Sequence, residues 1–367
     1  MTIKSLLQKI SIPVFLILTS IFAWPSTAFT QTIAPVDTSI VSLMVEKKIP
    51  GLSYAIVKNG DIIRQKSFGV SDLEQRTPES KHTAHYIAST TKIFTGMGVM
   101  RLVQNGKLDL DKSIAVYLPD IPEGWREVTV RQAISHTSGL PSILDENGDP
   151  LGGGTMDYAW EKVKQKSLTH EPGARWQYSQ MGSEVIHRIA NNITGQSWES
   201  FIEEQIFYTA GMNDTYFLWN LPADLKNQST IYQVDDDAED YSIANYDIVN
   251  EHDYYIPSAT GIFTSSNDLA KFAMALQANK FLDKQALQEM WTSSDFQEKP
   301  VEWLKGYGIG WILGSYNGHR RVWHSGGGKA IFVHYPEENL SIMVLTNLAD
   351  GGVLTFANML SDEYLNY

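Results

Sequence analysis

Ala88-Ser89-Thr90-Thr91-Lys92-Ile93 opens an apolar run over 93–103 that reads as a helix. Residues three apart on a helix share a face, which sets the Ser89 and Lys92 Cβ atoms about 5–6 Å apart. A serine hydroxyl is a weak nucleophile until a base takes its proton. A lysine amine serves as that base when burial or cationic neighbours lower its pKa. The start of a helix adds unpaired backbone N–H groups and a positive partial charge, which favour an oxyanion forming beside Ser89. A serine-capped, solvent-facing first turn would carry the same four residues. Two facts favour the chemical reading: this is the only Ser-x-x-Lys in the chain, and two further motifs follow it in order.

At 367 residues the chain has ample length for a core, as one large domain or two interleaved ones. Its 43% hydrophobic and 19% charged content are those of a folded globular protein. A net charge of -13 argues against a nucleic-acid partner, because phosphates would be repelled. With no cysteine there is neither a disulfide framework nor a site for a lipid-modified thiol.

Residues 1–28 read as a signal peptide: Lys4 and Lys9 supply positive charge, 10–24 are mainly apolar, and Ser26-Thr27-Ala28 offers small residues for cleavage. A retained membrane anchor is the rival reading, but the apolar run falls short of the ~20 residues a span needs. The expected home is therefore periplasmic or extracellular, in a bacterium, with no membrane span after cleavage.

The remaining chain, 29–367, reads as one domain. Helical spacing covers 38–48, and 52–58 and 62–70 flank Asn59-Gly60, a hairpin turn signal. Helical patterns follow at 129–135, 156–166, 182–192, 198–208, 267–278 and 284–291. Residues 214–258, rich in Asp, Asn and Tyr, lack periodicity and read as a long loop. Strand-like runs at 307–314, 320–323, 330–335 and 340–346 precede a final helix over about 352–364. The fold class is thus α/β of the α+β type: an antiparallel sheet from both chain ends (about 29–85 and 301–367), with a mostly helical insert over about 86–300.

The second motif, Tyr178-Ser179-Gln180, stands just before a helical run. A tyrosine hydroxyl near Ser89 and Lys92 can relay a proton to a leaving group, aided if nearby positive charge lowers its pKa. The Gln180 amide can hydrogen-bond a substrate carbonyl. The third motif, His324-Ser325-Gly326, is the only His-x-Gly and ends a strand-like run. Its glycine lets a substrate backbone lie along the strand edge, and the next N–H, that of Gly327, can join the N–H of Ser89 in an oxyanion hole.

Ser-x-x-Lys, then Tyr-Ser-x, then His-x-Gly resembles the penicillin-recognising serine hydrolases, especially the class C β-lactamase-like branch with its D-alanyl-D-alanine carboxypeptidases, D-amino-acid peptidases and esterases. Pro50-Gly51-Leu52, Gly106-Lys107-Leu108-Asp109-Leu110, His136-Thr137-Ser138-Gly139-Leu140 and Gly308-Ile309-Gly310-Trp311 match as well, so the resemblance spans the domain. It implies a β-lactamase/transpeptidase-like fold, with Ser89 as acylated nucleophile, Lys92 as its proton partner and Tyr178 as the second acid/base. The N–H groups of Ser89 and Gly327 would hold the oxyanion, and Gln180, His324, Ser325 and Gly326 the substrate. Which of Lys92 and Tyr178 takes the first proton stays open at this level.

Two positions depart from the family pattern. Gln180 stands where asparagine is usual, and His324 where typical β-lactamases have lysine. A histidine there resembles the carboxypeptidase variant and holds a substrate carboxylate only as imidazolium. The resemblance therefore implies a hydrolase of peptide-like amides such as D-amino-acid peptides or β-lactams. An esterase is the first alternative, and a penicillin-binding or sensor protein with little turnover the second. The partner is a small-molecule or peptide substrate, and no cofactor or metal is called for. His82 and His85 lack the rest of a zinc motif and read as surface histidines. Gly152-Gly153-Gly154 reads as a flexible loop, and the acidic run 235–240 as a solvated one. No Gly-x-Ser-x-Gly elbow occurs.

Overall fold

The computed structural model describes residues 35–222, 225–235, 240–244, 256–294 and 305–365. The expected signal peptide and most of the acidic run lie outside them. The chain begins with α1 (Pro35–Glu46), the hairpin β1 (Gly51–Lys58) and β2 (Asp61–Asp72), then β3 (Thr77–Pro78) and β4 (His85–Tyr86). A 3₁₀ turn, Ala88–Thr90, runs directly into α2 (Thr91–Gln104). The middle holds α3 (Val130–Ile134), α4 (Met156–Val163), α5 (Met181–Thr194), α6 (Trp198–Ile202), α7 (Tyr208–Ala210) and the short strands β5 (Tyr216–Phe217), β6 (Tyr232–Asp235) and β7 (Asp240–Ile243). Then come α8 (Pro257–Thr260), β8 (Ile262–Thr264), α9 (Ser266–Gln277) and α10 (Lys284–Met290). The last third is β9 (Gly306–Tyr307), β10 (Ile312–Tyr316), β11 (His319–Gly326), β12 (Ala330–Tyr335), β13 (Leu340–Thr346) and α11 (Val353–Asp362).

The main sheet runs β3-β2-β1-β13-β12-β11-β10-β9, antiparallel throughout, so the two ends of the chain meet where β1 pairs with β13. Asn59 and Gly60 both take positive φ, 53° and 85°, the backbone that a two-residue hairpin demands. The central strands are buried on both faces. On β1, Ala55 and Val57 face one core, while Leu52, Tyr54 and Ile56 face the other. Met343 and Leu345 on β13 join the first core, and Leu340, Ile342 and Val344 the second. The first core includes α2 and α9; the second is closed by α1 and α11. Apolar area removed from water on both faces, at about 25 cal/mol per Å², is the main force holding the layers together.

α2 is the axis of the molecule. Eleven of its residues are buried, including Lys92. Its close packing depends on glycine: a Cβ on Gly96 would lie 2.0 Å from Ile309 O, and one on Gly310 would lie 2.2 Å from Lys92 O. The Gly308-Ile309-Gly310-Trp311 phrase therefore seats the sheet side of the protein on the helix that carries the lysine.

The 214–258 stretch differs from the loop expected of it. Its described residues contain β5, which pairs with β8, and a β6–β7 hairpin. Two hydrogen bonds, Tyr232 N to Asn347 O and Ala349 N to Tyr232 O, tie the hairpin to the segment after β13. Strand β4, at the edge of the insert expected to be mostly helical, forms a second sheet with β8 and β5 inside it. Strands of two to four residues are too short for a period of two to show against background. Among the described residues, no helix is long and apolar enough to cross a membrane.

Candidate active site

Three loops of sequence converge at the start of α2. Ser89 sits in the 3₁₀ turn and is half-buried. The turn enters through Ala88 at φ +43°, an uncommon backbone for a residue with a Cβ. Ile87 N donates to Ile262 O at 3.0 Å, and Thr90 Oγ1 to Ala330 O at 3.3 Å, which pins the turn between the two sheets.

Lys92, one turn on, is 1% exposed. Its Nζ donates to Gln180 Oε1 at 2.7 Å and to Ala259 O at 3.0 Å. It also lies 4.9 Å from the centre of the Tyr178 ring. Loss of water disfavours the ammonium and pushes the lysine pKa down to about 7. Near neutral pH a large fraction of the amine is therefore free to accept a proton.

Tyr178 lies just before α5, with its ring against His136 (centroids 4.5 Å apart) and near His324 (6.3 Å). The residue keeps 38% of its surface open to the cleft, yet its surroundings are dry enough to hold the phenol above its usual pKa. The Ser89 hydroxyl pulls in the opposite direction but is outweighed. The expectation that nearby positive charge would lower the tyrosine is thus reversed: desolvation dominates, and Tyr178 is a neutral phenol.

β11 brings the third motif. Its last three residues are His324, Ser325 and Gly326. A Cβ on Gly326 would lie 1.9 Å from Ile87 O and 3.0 Å from Ser89 N, so only glycine lets the strand end close on the serine backbone. Gly327 follows at φ +52° and is exposed at the cleft, next to that contact. Ser325 is half-buried.

His324 is held inside the site rather than on its surface. It is 2% exposed, Nδ1 donates to Ser325 O at 2.8 Å, and Nε2 accepts from the Tyr307 hydroxyl at 3.0 Å. Burial, reinforced by the Lys92 charge, lowers its pKa to about 3. Both ring nitrogens are engaged and the imidazole is neutral at physiological pH. A dry pocket beside a lysine thus disfavours the imidazolium that carboxylate recognition at this position would need. Gln180 lies against Lys92, which takes its Oε1. Only its amide N–H groups remain to donate to a substrate carbonyl.

Beside Tyr178 and Gln180 a cavity of about 400 Å³ opens, also lined by Leu140, Ser142, Leu144 and Gln177. His85, read as a surface histidine, is in fact buried, with Nε2 3.0 Å from Glu79 Oε1; His82 is exposed and meets Asp214 Oδ2 at 2.7 Å. Sequence reasoning assigned no role to the Ala259 carbonyl, Tyr307 or His136. No motif marks the first two. His136 lies in a quoted phrase that carried no chemistry by itself.

The chain is 27% identical over 349 residues to Protein flp of Staphylococcus aureus, an alignment covering 90% of this chain and 66% of that protein's length. It is similar to a solved structure, the octameric penicillin-binding protein homologue from Pyrococcus abyssi, at 27% identity and a TM-score of 0.76, covering 89% of this chain and 75% of that one. EstCE1, a hydrolase with promiscuous acyltransferase activity, shares the fold at a TM-score of 0.77 and 19% identity, covering 90% of this chain and 97% of that one. The Beta-lactamase family pattern matches residues 36–364, from α1 to the end of the last helix. With serine, lysine and tyrosine gathered at one helix start and the whole domain matched, the chain belongs to the beta-lactamase family of serine hydrolases.

Proposed function

We propose that the protein hydrolyses small, uncharged acyl substrates, peptide-like amides and esters, through an acyl-enzyme on Ser89. The observation that carries this is Lys92, held close to half-neutral at pH 7 by burial at the start of the helix that follows the nucleophile. Lys92 Nζ takes the Ser89 proton as Oγ bonds to the substrate carbonyl carbon. The N–H groups of Ser89 and Gly327 stabilise the resulting oxyanion. Collapse breaks the C–N or C–O bond, and Tyr178 passes a proton to the leaving group, recovering it from the Lys92 side. Water then attacks the acyl-serine by the same relay and releases the acid.

The neutral His324 favours esters and blocked amides over peptides ending in a free carboxylate, since the cation that would read the carboxylate is missing at that position. Secretion through the N-terminal segment completes the proposal, with the periplasm or the cell exterior as the site of action.

The test is a panel of D-amino-acid amides, carboxylate-ended D-peptides, short-chain esters and a chromogenic cephalosporin, with wild type and Ser89→Ala. Turnover of uncharged substrates that vanishes in Ser89→Ala, with a serine-reactive phosphonate mapped to Ser89, supports the reading. Labelling elsewhere refutes Ser89 as the nucleophile, and stoichiometric acylation of Ser89 without turnover favours the binding or sensor alternative.

A further inference from the structure

His136 has no part in the steps above, yet it is built into the site at a cost. It follows α3 at φ +64°, a left-handed backbone that a residue with a Cβ adopts only when its surroundings impose it. It is 3% exposed, and Nδ1 accepts from Ser179 N at 3.3 Å, which places the ring proton on Nε2. That Nε2–H has no hydrogen-bond partner among the described residues. A strained backbone and an orphaned buried donor on one residue call for a compensating role.

The contacts indicate what that role is. Gln177 N donates to His136 O at 2.8 Å, and Ser179 N to His136 Nδ1, so one residue holds the chain immediately before and immediately after Tyr178. The imidazole also backs the Tyr178 ring, and is itself backed by Tyr307 (centroids 4.7 Å) and Trp176 (6.0 Å). Trp176 (6.1 Å) and the Lys92 Nζ (4.9 Å) also meet the Tyr178 ring, and the His136 contact is the shortest of these. We infer that His136 is the positioning residue for Tyr178, clamping its backbone on both sides and bracing its ring so that the phenol stays at Ser89.

This rests on the acyl-enzyme reading, in which Tyr178 protonates the leaving group. A misplaced Tyr178 therefore harms substrates whose leaving group needs a proton and spares those whose leaving group does not. The probes are ethyl butyrate and p-nitrophenyl butyrate, which form the same acyl-enzyme. His136→Gly keeps the backbone permissive but removes both the acceptor and the ring. His136→Asn tolerates positive φ and offers Oδ1 to Ser179 N in place of Nδ1. Expected in His136→Gly is a kcat/KM loss of about 10²-fold on the ethyl ester, the scale of a ~1 Å misplacement, and only a few-fold on the nitrophenyl ester. His136→Asn should recover part of the ethyl-ester rate. Equal losses on both esters, or none on either, overturn the inference. Tyr178→Phe is the reference. If it is selective and His136→Gly is not, the inference alone falls; if Tyr178→Phe shows no selectivity, the relay reading falls and takes the inference with it.

Discussion

Acylation should follow the titration of Lys92. An ordinary lysine, pKa 10.5, is neutral in about 3 molecules in 10⁴ at pH 7, whereas at about 7 half the molecules are neutral. Burial therefore raises the supply of free base about 10³-fold. The rate of Ser89 acylation, measured in single turnovers with a nitrophenyl ester from pH 5 to 9.5, should rise tenfold per unit below pH 7 and level above it. Lys92→Arg keeps the charge but not the base and should lose about 10²–10⁴-fold throughout. The same shift has a thermodynamic mark. Between pH 7 and 10.5 the unfolded chain binds a proton that the folded one refuses, so folding stability rises with pH in that window. The penalty is fully present below pH 7 and gone above 10.5, at most about 1.4 kcal/mol per unit and about 5 kcal/mol in all. Lys92→Met lacks it. Urea unfolding of both proteins at pH 6.5, 8 and 9.5 should show wild type gaining on the variant as pH rises, other groups cancelling in the difference. An acylation profile flat from pH 5 to 8, together with a pH-independent stability difference, would show that Lys92 does not titrate near 7 and return the base role to Tyr178.

The remaining predictions follow from single contacts. Because His324 titrates near 3, a carboxylate-ended peptide and a neutral ester should share one kcat/KM profile from pH 5 to 8; a peptide-specific fall through pH 6.5 would restore the imidazolium reading. Gly326→Ala should cost about 1–3 kcal/mol in denaturant melts and at least ~10² in kcat, since its Cβ would strike Ile87 O beside the nucleophile; near wild-type kcat would show that the strand end can back away. Asn347 accepts from Gly51 N at 2.7 Å and donates to Val70 O at 2.9 Å, stitching β13 to the β1–β2 hairpin. Asn347→Leu should lose about 2–4 kcal/mol with kcat for a neutral ester little changed, and an unaltered melt would refute that reading.

The elements legible in advance were those whose pattern is local and long. The Asn59-Gly60 hairpin, α2, α9, β12 and β13 each carry enough periodic apolar residues or a turn with one permitted backbone. The candidate site residues were named for a different reason: Ser89 and Lys92 stand three apart at a helix start, and Tyr178 and His324 follow them in the order that the family resemblance implies. The two-residue strands β4 and β5 were not legible, because their pairing with β8 is decided by partners far along the chain.

Residue identity and spacing therefore determined which groups meet: a serine and a lysine on one helical face, a tyrosine, and a glycine that lets β11 close on them. Their protonation was decided only by the tertiary structure, because a pKa depends on the water a side chain has lost. Lys92 is a base since the body of the protein closes over α2. Tyr178 stays a neutral phenol because desolvation outweighs the Ser89 hydroxyl. His324, the same imidazole that on a surface would titrate near 6.5, is held neutral because burial and the Lys92 charge outweigh its hydrogen bond to Ser325 O.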